Sequence, residues 1–287
     1  MFVYLNGEYI PEENARISPD DRGFLFSDGI YEVIRSYDGI LFEPEAHLAR
    51  LRYGAKALRF NETGFDFLPH VASELIQRNG LESGDATVYI QVTRGAAPRT
   101  HRFPAKNTPL TIYISARRFN PHHSEQERGI AAILVPDQRW ARCDIKSTGL
   151  LPNVLANQQA VDAGAFEALF VRDGILMEGS HSNVFAVSKG EVITPPLSNY
   201  ILGGITREVV LELCRKLGIP HREGIILFSE IPGMEEIMIV GTTVEVTPVR
   251  QILNVNFQNR DPGPLTRRLQ EGFRERVRSG AAGIQAS

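Results

Sequence analysis

Two tight turns near the N-terminus constrain the fold more than any other feature of the chain. They are Asn6-Gly7 and Asp38-Gly39, and each lies between two short apolar segments. Asn-Gly and Asp-Gly readily adopt the positive φ angles that a two-residue β-hairpin requires. The first third of the chain is therefore predicted to contain antiparallel strand pairs, which a purely parallel, doubly wound sheet does not have.

Helical and strand patterns then alternate irregularly along the chain. Helices are predicted at 44–59, 67–79, 152–163, 207–217 and 264–278. Further strands are predicted at 87–93, 110–114, 130–135, 167–171, 184–187, 192–194, 225–227 and 236–240. Thr206 is the predicted N-cap of the helix that follows it. Because the order lacks a regular βαβ rhythm, the predicted fold class is α+β.

At 287 residues the chain is long enough for two domains. A polar, proline-containing segment begins at Arg117 and shows neither helical nor strand periodicity. It marks the predicted boundary. The prediction is an N-terminal domain at 1–117, a linker at 118–128 and a C-terminal domain at 129–287.

Composition excludes several classes of protein. A net charge of -3 and scattered arginines give no basis for nucleic-acid binding. No apolar run approaches the roughly 18 residues of a membrane span, and the N-terminus does not resemble a signal peptide. Cys143 and Cys214 lack the spacing of a metal site or a disulfide framework. We expect a cytoplasmic protein that binds neither metal nor membrane.

One lysine stands apart from the others. Only five of the 31 Lys and Arg residues are lysines. Four of the five lie in ordinary places, namely a basic helix, a loop, a turn and the last turn of a predicted helix, where a cation complements the macrodipole. Lys146, in the segment Arg142-Cys143-Asp144-Ile145-Lys146-Ser147, has no such explanation. It is the candidate if the protein uses an amine as a nucleophile.

Two segments could bind an anion. Gly203-Gly204-Ile205-Thr206 precedes a predicted helix, where backbone N–H groups and the helix dipole favour negative charge. Gly241-Thr242-Thr243 follows a predicted strand and is rich in hydroxyl groups. Arg50 has no carboxylate three or four residues away on its helix, so it either faces solvent or pairs with an anion from elsewhere in the fold. Each signal also has an ordinary explanation as a turn or a solvated side chain.

Two further features suit a small-molecule site. Glu178 lies shortly before a hydroxyl-rich segment, Ser180-His181-Ser182. It could be either a solvated turn residue or a buried, oriented carboxylate. The basic loop 94–102 contains Arg99 and His101 and could bind a carboxylate through a guanidinium group. An exposed basic loop without a ligand is the equal alternative.

Five ordered motifs together resemble a known family. They are 21–33 with Asp21-Arg22-Gly23-Phe24 and Asp28-Gly29-Ile30-Tyr31, then His47-Leu48-Ala49-Arg50-Leu51, the Lys146 segment, 178–185, and Gly204-Ile205-Thr206-Arg207. The chain is similar to the fold-type IV pyridoxal-phosphate aminotransferases over almost its whole length. Within that family the loop Pro98-Arg99-Thr100-His101 most resembles the D-amino acid, or D-alanine, aminotransferases. His181 and Pro152 depart from the pattern of that subfamily.

The resemblance implies a fold, a cofactor and a role for each candidate residue. The fold would be a smaller N-terminal α/β sandwich and a larger C-terminal pseudo-barrel, with the site between them and a homodimer partner contributing to it. Lys146 would bind pyridoxal 5'-phosphate covalently and then carry a proton. The other cofactor-binding residues would be Arg50, Glu178, Ile205, Thr206 and Thr242, and the substrate carboxylate would be held by Tyr31, Arg99 and His101.

The implied reaction is the transfer of an amino group between a D-amino acid such as D-alanine and a 2-oxo acid such as 2-oxoglutarate. Other members of the same family remain alternatives: a branched-chain L-amino acid or (R)-amine transaminase, or an aminodeoxychorismate lyase. A protein that binds pyridoxal phosphate without turnover is the alternative outside catalysis.

Overall fold

The computed structural model describes residues 1–61, 64–258 and 261–285. Contacts between Cα atoms divide the chain into two compact units. Unit 1 contains Met1–Asn120 and Ile145–Gly149, and unit 2 contains Pro121–Asp144 and Leu150–Ser279. The segment that carries Lys146 therefore clusters with unit 1. The sequence-based domain assignment, with its linker at 118–128, stays a prediction.

Unit 1 consists of a six-stranded antiparallel sheet, counted over the described residues, with helices packed on it. Its strands are β1 (Phe2–Leu5), β2 (Glu8–Pro11), β3 (Gly29–Tyr37), β4 (Ile40–Leu41), β5 (Asp85–Thr93) and β6 (Thr111–Arg118), in the order β2-β1-β6-β5-β3-β4. Its helices are α1 (Arg22–Phe26), α2 (Pro44–Ala57) and α3 (Leu68–Arg78). Both predicted hairpins are present, and positive φ angles at Asn6 and Asp38 close their turns.

The core of unit 1 lies between the sheet and the helices α2 and α3. Alternate residues of β3 and β5 point toward α2 and α3, so Ile30, Ile34, Val88 and Ile90 are almost completely buried. Leu75 of α3 belongs to the same cluster and is fully buried. This is the two-layer α/β sandwich that the resemblance implied.

The described strands after Asn120 form one mixed sheet of nine. They are β7 (Ile130–Pro136), β8 (Glu167–Arg172), β9 (Ile175–Gly179), β10 (Asn183–Ser188), β11 (Glu191–Thr194), β12 (His221–Glu223), β13 (Glu236–Gly241), β14 (Glu245–Ile252) and β15 (Phe257–Gln258). The order is β12-β11-β10-β13-β14-β7-β8-β9, and β15 pairs with β14. The helices are α4 (His123–Arg128), α5 (Leu151–Asp162), α6 (Ile205–Lys216) and α7 (Pro264–Gln285).

The connection from β9 to β10 makes this sheet curl. β9 lies at one end of the strand order and β10 lies near the other. Only a short turn joins them, and it is closed by the Gly179 N–H, which donates to the Ser182 carbonyl at 2.8 Å. The two ends of the sheet must therefore approach each other, as in a partly closed barrel. The predicted α+β class and pseudo-barrel are confirmed.

Several local predictions were wrong. The strand expected at 225–227 is absent, because the chain pairs with β11 earlier, at His221–Glu223. Strands β9 and β14 were not predicted. Thr206 lies inside α6, whose N-cap is Gly204. The linker stays a prediction; within it, Arg118 pairs with Ala86 in the sheet of unit 1, and His123–Arg128 forms the helix α4. Among the described helices, none combines the length and the apolar character needed to cross a membrane.

Candidate active site

The Lys146 segment in unit 1 runs along the free edge of β3. The Tyr31 N–H donates to the Lys146 carbonyl at 3.0 Å, the Thr148 N–H donates to the Gly29 carbonyl at 3.0 Å, and Ser147 forms a bridge with Ile30. This pairing brings the Lys146 side chain beside Tyr31. The Lys146 amine donates to the Tyr31 hydroxyl at 3.3 Å and lies 4.4 Å from the centre of its ring.

The neighbour of the Lys146 amine is thus the phenol group of Tyr31. No salt bridge joins this amine to a carboxylate within the described ranges of the chain. An amine that is not held in an ion pair can leave its hydrogen-bonding partner to attack a carbonyl group. The structure therefore places the predicted nucleophile next to one of the three predicted carboxylate ligands.

Arg50 on α2 does not simply face solvent. It pairs with a carboxylate that lies on β3, the side chain of Glu32. Its Nε donates to Glu32 Oε1 and its Nη2 to Glu32 Oε2, both at 2.7 Å. His47 Nδ1, one helical turn earlier, lies 2.7 Å from Glu32 Oε2. Glu32 is 1% exposed and Arg50 is mostly buried. The guanidinium is therefore fixed in position by a bidentate ion pair.

Electrostatics in this group favour the ionised carboxylate. Burial raises the pKa of Glu32, but the charge and hydrogen bonds of Arg50 and the hydrogen bond of His47 outweigh it and lower the pKa to about 2. Burial lowers the pKa of His47 and, together with the Arg50 and Lys146 charges, outweighs the hydrogen bond and charge of Glu32, which raise it. Glu32 is therefore anionic at neutral pH and His47 is neutral.

Arg99 and His101 come together on one aromatic ring of unit 1. The Arg99 guanidinium carbon lies 5.2 Å from the centre of the Phe26 ring, and the His101 ring centre lies 5.6 Å from it. Both residues are exposed. No hydrogen bond or ion pair connects either of them to Tyr31 in the part of the chain that the structure describes. Two of the three predicted carboxylate ligands are thus neighbours, and the third lies with Lys146.

Glu178 in unit 2 is a buried, oriented carboxylate rather than a solvated turn residue. It lies near the end of β9 and is 4% exposed. Arg139 donates to its Oε1, while Asn183 Nδ2 at 2.9 Å and the Leu202 N–H at 3.1 Å donate to its Oε2. Arg139 is itself held by Asp137 through Nε and Nη2, both at 2.9 Å. Asp137, Arg139 and Glu178 therefore form a buried chain of alternating charges.

The two buried glutamates differ in proton affinity. Burial raises the pKa of Glu178 to about 7, although Arg139 and the Leu202 N–H favour the ionised form. The reason for the difference is that Arg139 is shared: Asp137 takes most of its hydrogen bonds, whereas Glu32 receives two from Arg50 alone. Asp137 also adds a negative charge near Glu178. A further positively charged hydrogen-bond donor beside Glu178 would therefore lower its pKa and favour the ionised carboxylate.

The two predicted anion-binding segments converge at Asn183. This residue begins β10 and pairs with Val240, directly before Gly241 and Thr242. Its Nδ2 also donates to the Leu202 carbonyl at 2.9 Å. A Cβ at Gly204 would overlap its Oδ1, so the start of α6 packs closely against it. The chain order alone did not show that the segments meet.

Comparisons with known proteins show to which family the chain belongs. The family model for amino-transferase class IV matches residues 29–252. The chain is 40% identical over 279 residues to the D-alanine aminotransferase of Staphylococcus epidermidis, and the match covers 96% of this chain and 98% of that protein.

The chain is a class IV aminotransferase.

Solved structures of this family share its fold. The branched-chain amino acid aminotransferase of Escherichia coli superimposes with a TM-score of 0.87 at 26% identity, covering 96% of this chain and 93% of that one. The branched-chain aminotransferase of Thermoproteus uzoniensis, solved with norvaline, gives 0.86 at 28% identity, covering 98% of this chain and 95% of that one. The predicted family, enzyme class and likeness to D-alanine aminotransferases are confirmed.

Sequence reasoning did not assign a role to several residues of this aminotransferase. Glu32 and His47 lie within motifs that the resemblance used, yet their contact with Arg50 joins a strand to a helix and leaves no periodic signal. Arg139 and Asn183 were missed for the same reason. The pattern Asp137-x-Arg139 could have indicated a local ion pair, but not its connection to Glu178, 39 residues away.

Proposed function

We propose that this class IV aminotransferase moves the amino group of a D-amino acid such as D-alanine to a 2-oxo acid such as 2-oxoglutarate, with pyridoxal 5'-phosphate as cofactor. The observation that carries the proposal is the 3.3 Å contact between the Lys146 amine and the Tyr31 hydroxyl. It puts a candidate nucleophile beside a candidate ligand for the substrate carboxylate. The 40% identity with a D-alanine aminotransferase supports the D-series substrate.

The donor and acceptor groups of unit 2 fit this cofactor. The helix α6 begins at Ile205 after the N-cap Gly204, and the first N–H groups of a helix have no partner within it, so those of Ile205 and Thr206 would donate to the phosphate. Thr242, in the turn after β13, adds a hydroxyl group. Glu178 is anchored to the same residue, Asn183, and supplies a carboxylate for the ring nitrogen. In unit 1, Arg50 supplies the positive charge.

Lys146 has two successive tasks in this proposal. Its amine would hold the cofactor covalently through the aldehyde group, and the same amine, once freed, would accept the proton from the substrate Cα and return it to the product. The bound cofactor supplies the electron sink that makes this proton acidic. Glu178 would accept a hydrogen bond from the ring nitrogen and so stabilise the protonated form of that nitrogen. The donor would leave as its own 2-oxo acid after hydrolysis, and a second 2-oxo acid would accept the amino group as Lys146 returns the proton to its Cα.

The positions of the three predicted ligands of the substrate carboxylate suggest that two copies of the chain contribute to each site. Tyr31 lies with Lys146, whereas Arg99 and His101 lie together on Phe26. We propose a cytoplasmic homodimer in which Arg99 and His101 of one copy hold the carboxylate of a substrate bound at Lys146 of the other. A guanidinium group suits this task because it binds a carboxylate through two parallel hydrogen bonds.

A substrate panel tests the reaction. Purified protein loaded with pyridoxal phosphate is incubated with 2-oxoglutarate and D-alanine, L-alanine, L-leucine or an (R)-amine, and separately with aminodeoxychorismate alone. We expect pyruvate and glutamate from D-alanine, at a rate far above that of the L-amino acids. Turnover of L-leucine alone would replace the proposal with a branched-chain transaminase, and a loaded protein inactive with every donor would indicate a binding protein.

Mixing two inactive variants tests the cooperation between copies. Lys146→Ala and Arg99→Ala are mixed and allowed to exchange subunits. If Arg99 acts across the dimer, each mixed dimer has one intact site, and random exchange restores about a quarter of the wild-type sites. No recovery, with exchange verified by mass spectrometry of the dimers, would mean that Arg99 acts within its own copy.

A further inference from the structure

The loop that carries Arg99 and His101 has no regular secondary structure, yet these two exposed side chains lie on the same support. That support is Phe26, the last residue of α1. A guanidinium group is attracted to the face of an aromatic ring, and an imidazole packs well at an angle to one. The interplanar angle of 46° between His101 and Phe26 agrees with such packing.

Arg22, at the other end of α1, ties the same loop to the helix. Its Nη1 donates to the Thr100 carbonyl at 2.7 Å, between Arg99 and His101 in the chain. Its Nε donates to Asp28 at 2.8 Å, and its guanidinium carbon lies 4.8 Å from the centre of the Phe26 ring. Arg22 is 4% exposed, so this is a buried anchor rather than a surface contact.

A second buried arginine fixes the start of the loop. Arg94 donates to Asp28 Oδ2 at 2.8 Å and to Asp28 Oδ1 at 3.0 Å. Asp28 is thus shared by Arg22 and Arg94. The Arg22 N–H also donates to the Gly95 carbonyl at 2.9 Å. These contacts fix the point at which the loop leaves β5. Further along the loop, the side chains of Arg99 and His101 both pack on the Phe26 ring.

We propose that Phe26 is the positioning residue of the carboxylate-binding pair Arg99 and His101, and that Arg22 holds Phe26 and the loop in register. This inference rests on the proposed function. An unsupported arginine with four rotatable bonds samples many rotamers, and its ordering on binding a carboxylate is costly. The Phe26 ring restricts the rotamers of Arg99 and His101 before the substrate binds, so less conformational entropy is lost on binding.

The test compares three substitutions of one residue in the loaded enzyme. Phe26→Tyr keeps the aromatic face, Phe26→Leu keeps an apolar side chain without it, and Phe26→Ala removes both. For D-alanine we expect KM to rise about five- to tenfold in Phe26→Leu and Phe26→Ala, with kcat changed less than about twofold, and to stay near wild type in Phe26→Tyr. Phe228→Ala, a half-exposed ring in unit 2, is the matched control and should leave KM unchanged.

Binding of a simple carboxylate separates positioning from chemistry. Propionate is titrated into each loaded variant while the His101 imidazole signals are followed by NMR. The propionate Kd should rise in the same order as KM. Equal KM and Kd for Phe26→Leu and wild type would overturn the role of Phe26 while leaving D-alanine turnover, and so the proposed function, intact. A wild-type enzyme without D-alanine turnover would overturn both.

Discussion

The ion pair between Glu32 and Arg50 offers a quantitative test of how unit 1 holds its candidate phosphate ligand. In Glu32→Gln the side chain keeps its size and loses its charge. Glu32 accepts from Arg50 through both oxygens and contacts His47 through Oε2, all at 2.7 Å, whereas glutamine has one acceptor oxygen and no charge to offset that of Arg50. Removal of one partner from a buried pair leaves the other charge uncompensated and typically costs about 3–5 kcal/mol.

The pKa of Glu32 gives an independent estimate. Its fall from 4.5 to about 2 corresponds to about 3 kcal/mol of stability, at about 1.4 kcal/mol for each tenfold change in proton affinity. Since the folded-state pKa is lowered, this stability is fully present above pH 4.5 and is lost as the pH falls through 2. We therefore expect Glu32→Gln to lower the free energy of unfolding by about 3 kcal/mol at pH 7.

Urea unfolding of the cofactor-free protein, followed by circular dichroism, measures this difference. Glu74→Gln is the control, because Glu74 pairs with Arg78 on the surface of α3 and should contribute less than about 1 kcal/mol. Repeating both at a pH of about 3.5 should shrink the difference for Glu32→Gln, whereas the control should stay below about 1 kcal/mol at both pH values. A cost below about 1 kcal/mol at pH 7, or a cost independent of pH, would refute the reasoning.

Three further predictions concern the site and the core. Lys146→Ala should abolish turnover and the visible absorbance of the cofactor-loaded enzyme after dialysis; retention of either would remove Lys146 from its role. Gly204→Ala should weaken pyridoxal phosphate binding about tenfold, measured by fluorescence titration, because the new Cβ displaces Asn183 from Glu178, whereas Gly203→Ala has room and should bind normally. Leu75→Ala should lower the free energy of unfolding by about 2–5 kcal/mol, against less than about 0.5 for the exposed Leu155→Ala; equal effects would mean that Leu75 is not a core residue.

Features that depend on residues close together in the chain could be predicted from the sequence, and features that depend on distant residues could not. The hairpins at Asn6-Gly7 and Asp38-Gly39 were predictable because turn geometry depends on adjacent residues. α2 and α6 were predictable because their apolar residues recur at the helical period. β9 was missed since it is short and contains Glu178, whose burial depends on Arg139 and Asn183 rather than on a neighbouring hydrophobic pattern.

The sequence by itself determined the α+β class, the family and the identity of Lys146 as the candidate nucleophile. Only the tertiary structure decided which groups surround each candidate. Arg50 finds Glu32 on a strand, Glu178 finds Arg139 from a distant part of the chain, and Arg99 and His101 share the ring of Phe26. The physical reason is that charge and aromatic contacts act over a few ångströms of space, and the chain brings such groups together only after the strands and helices have packed.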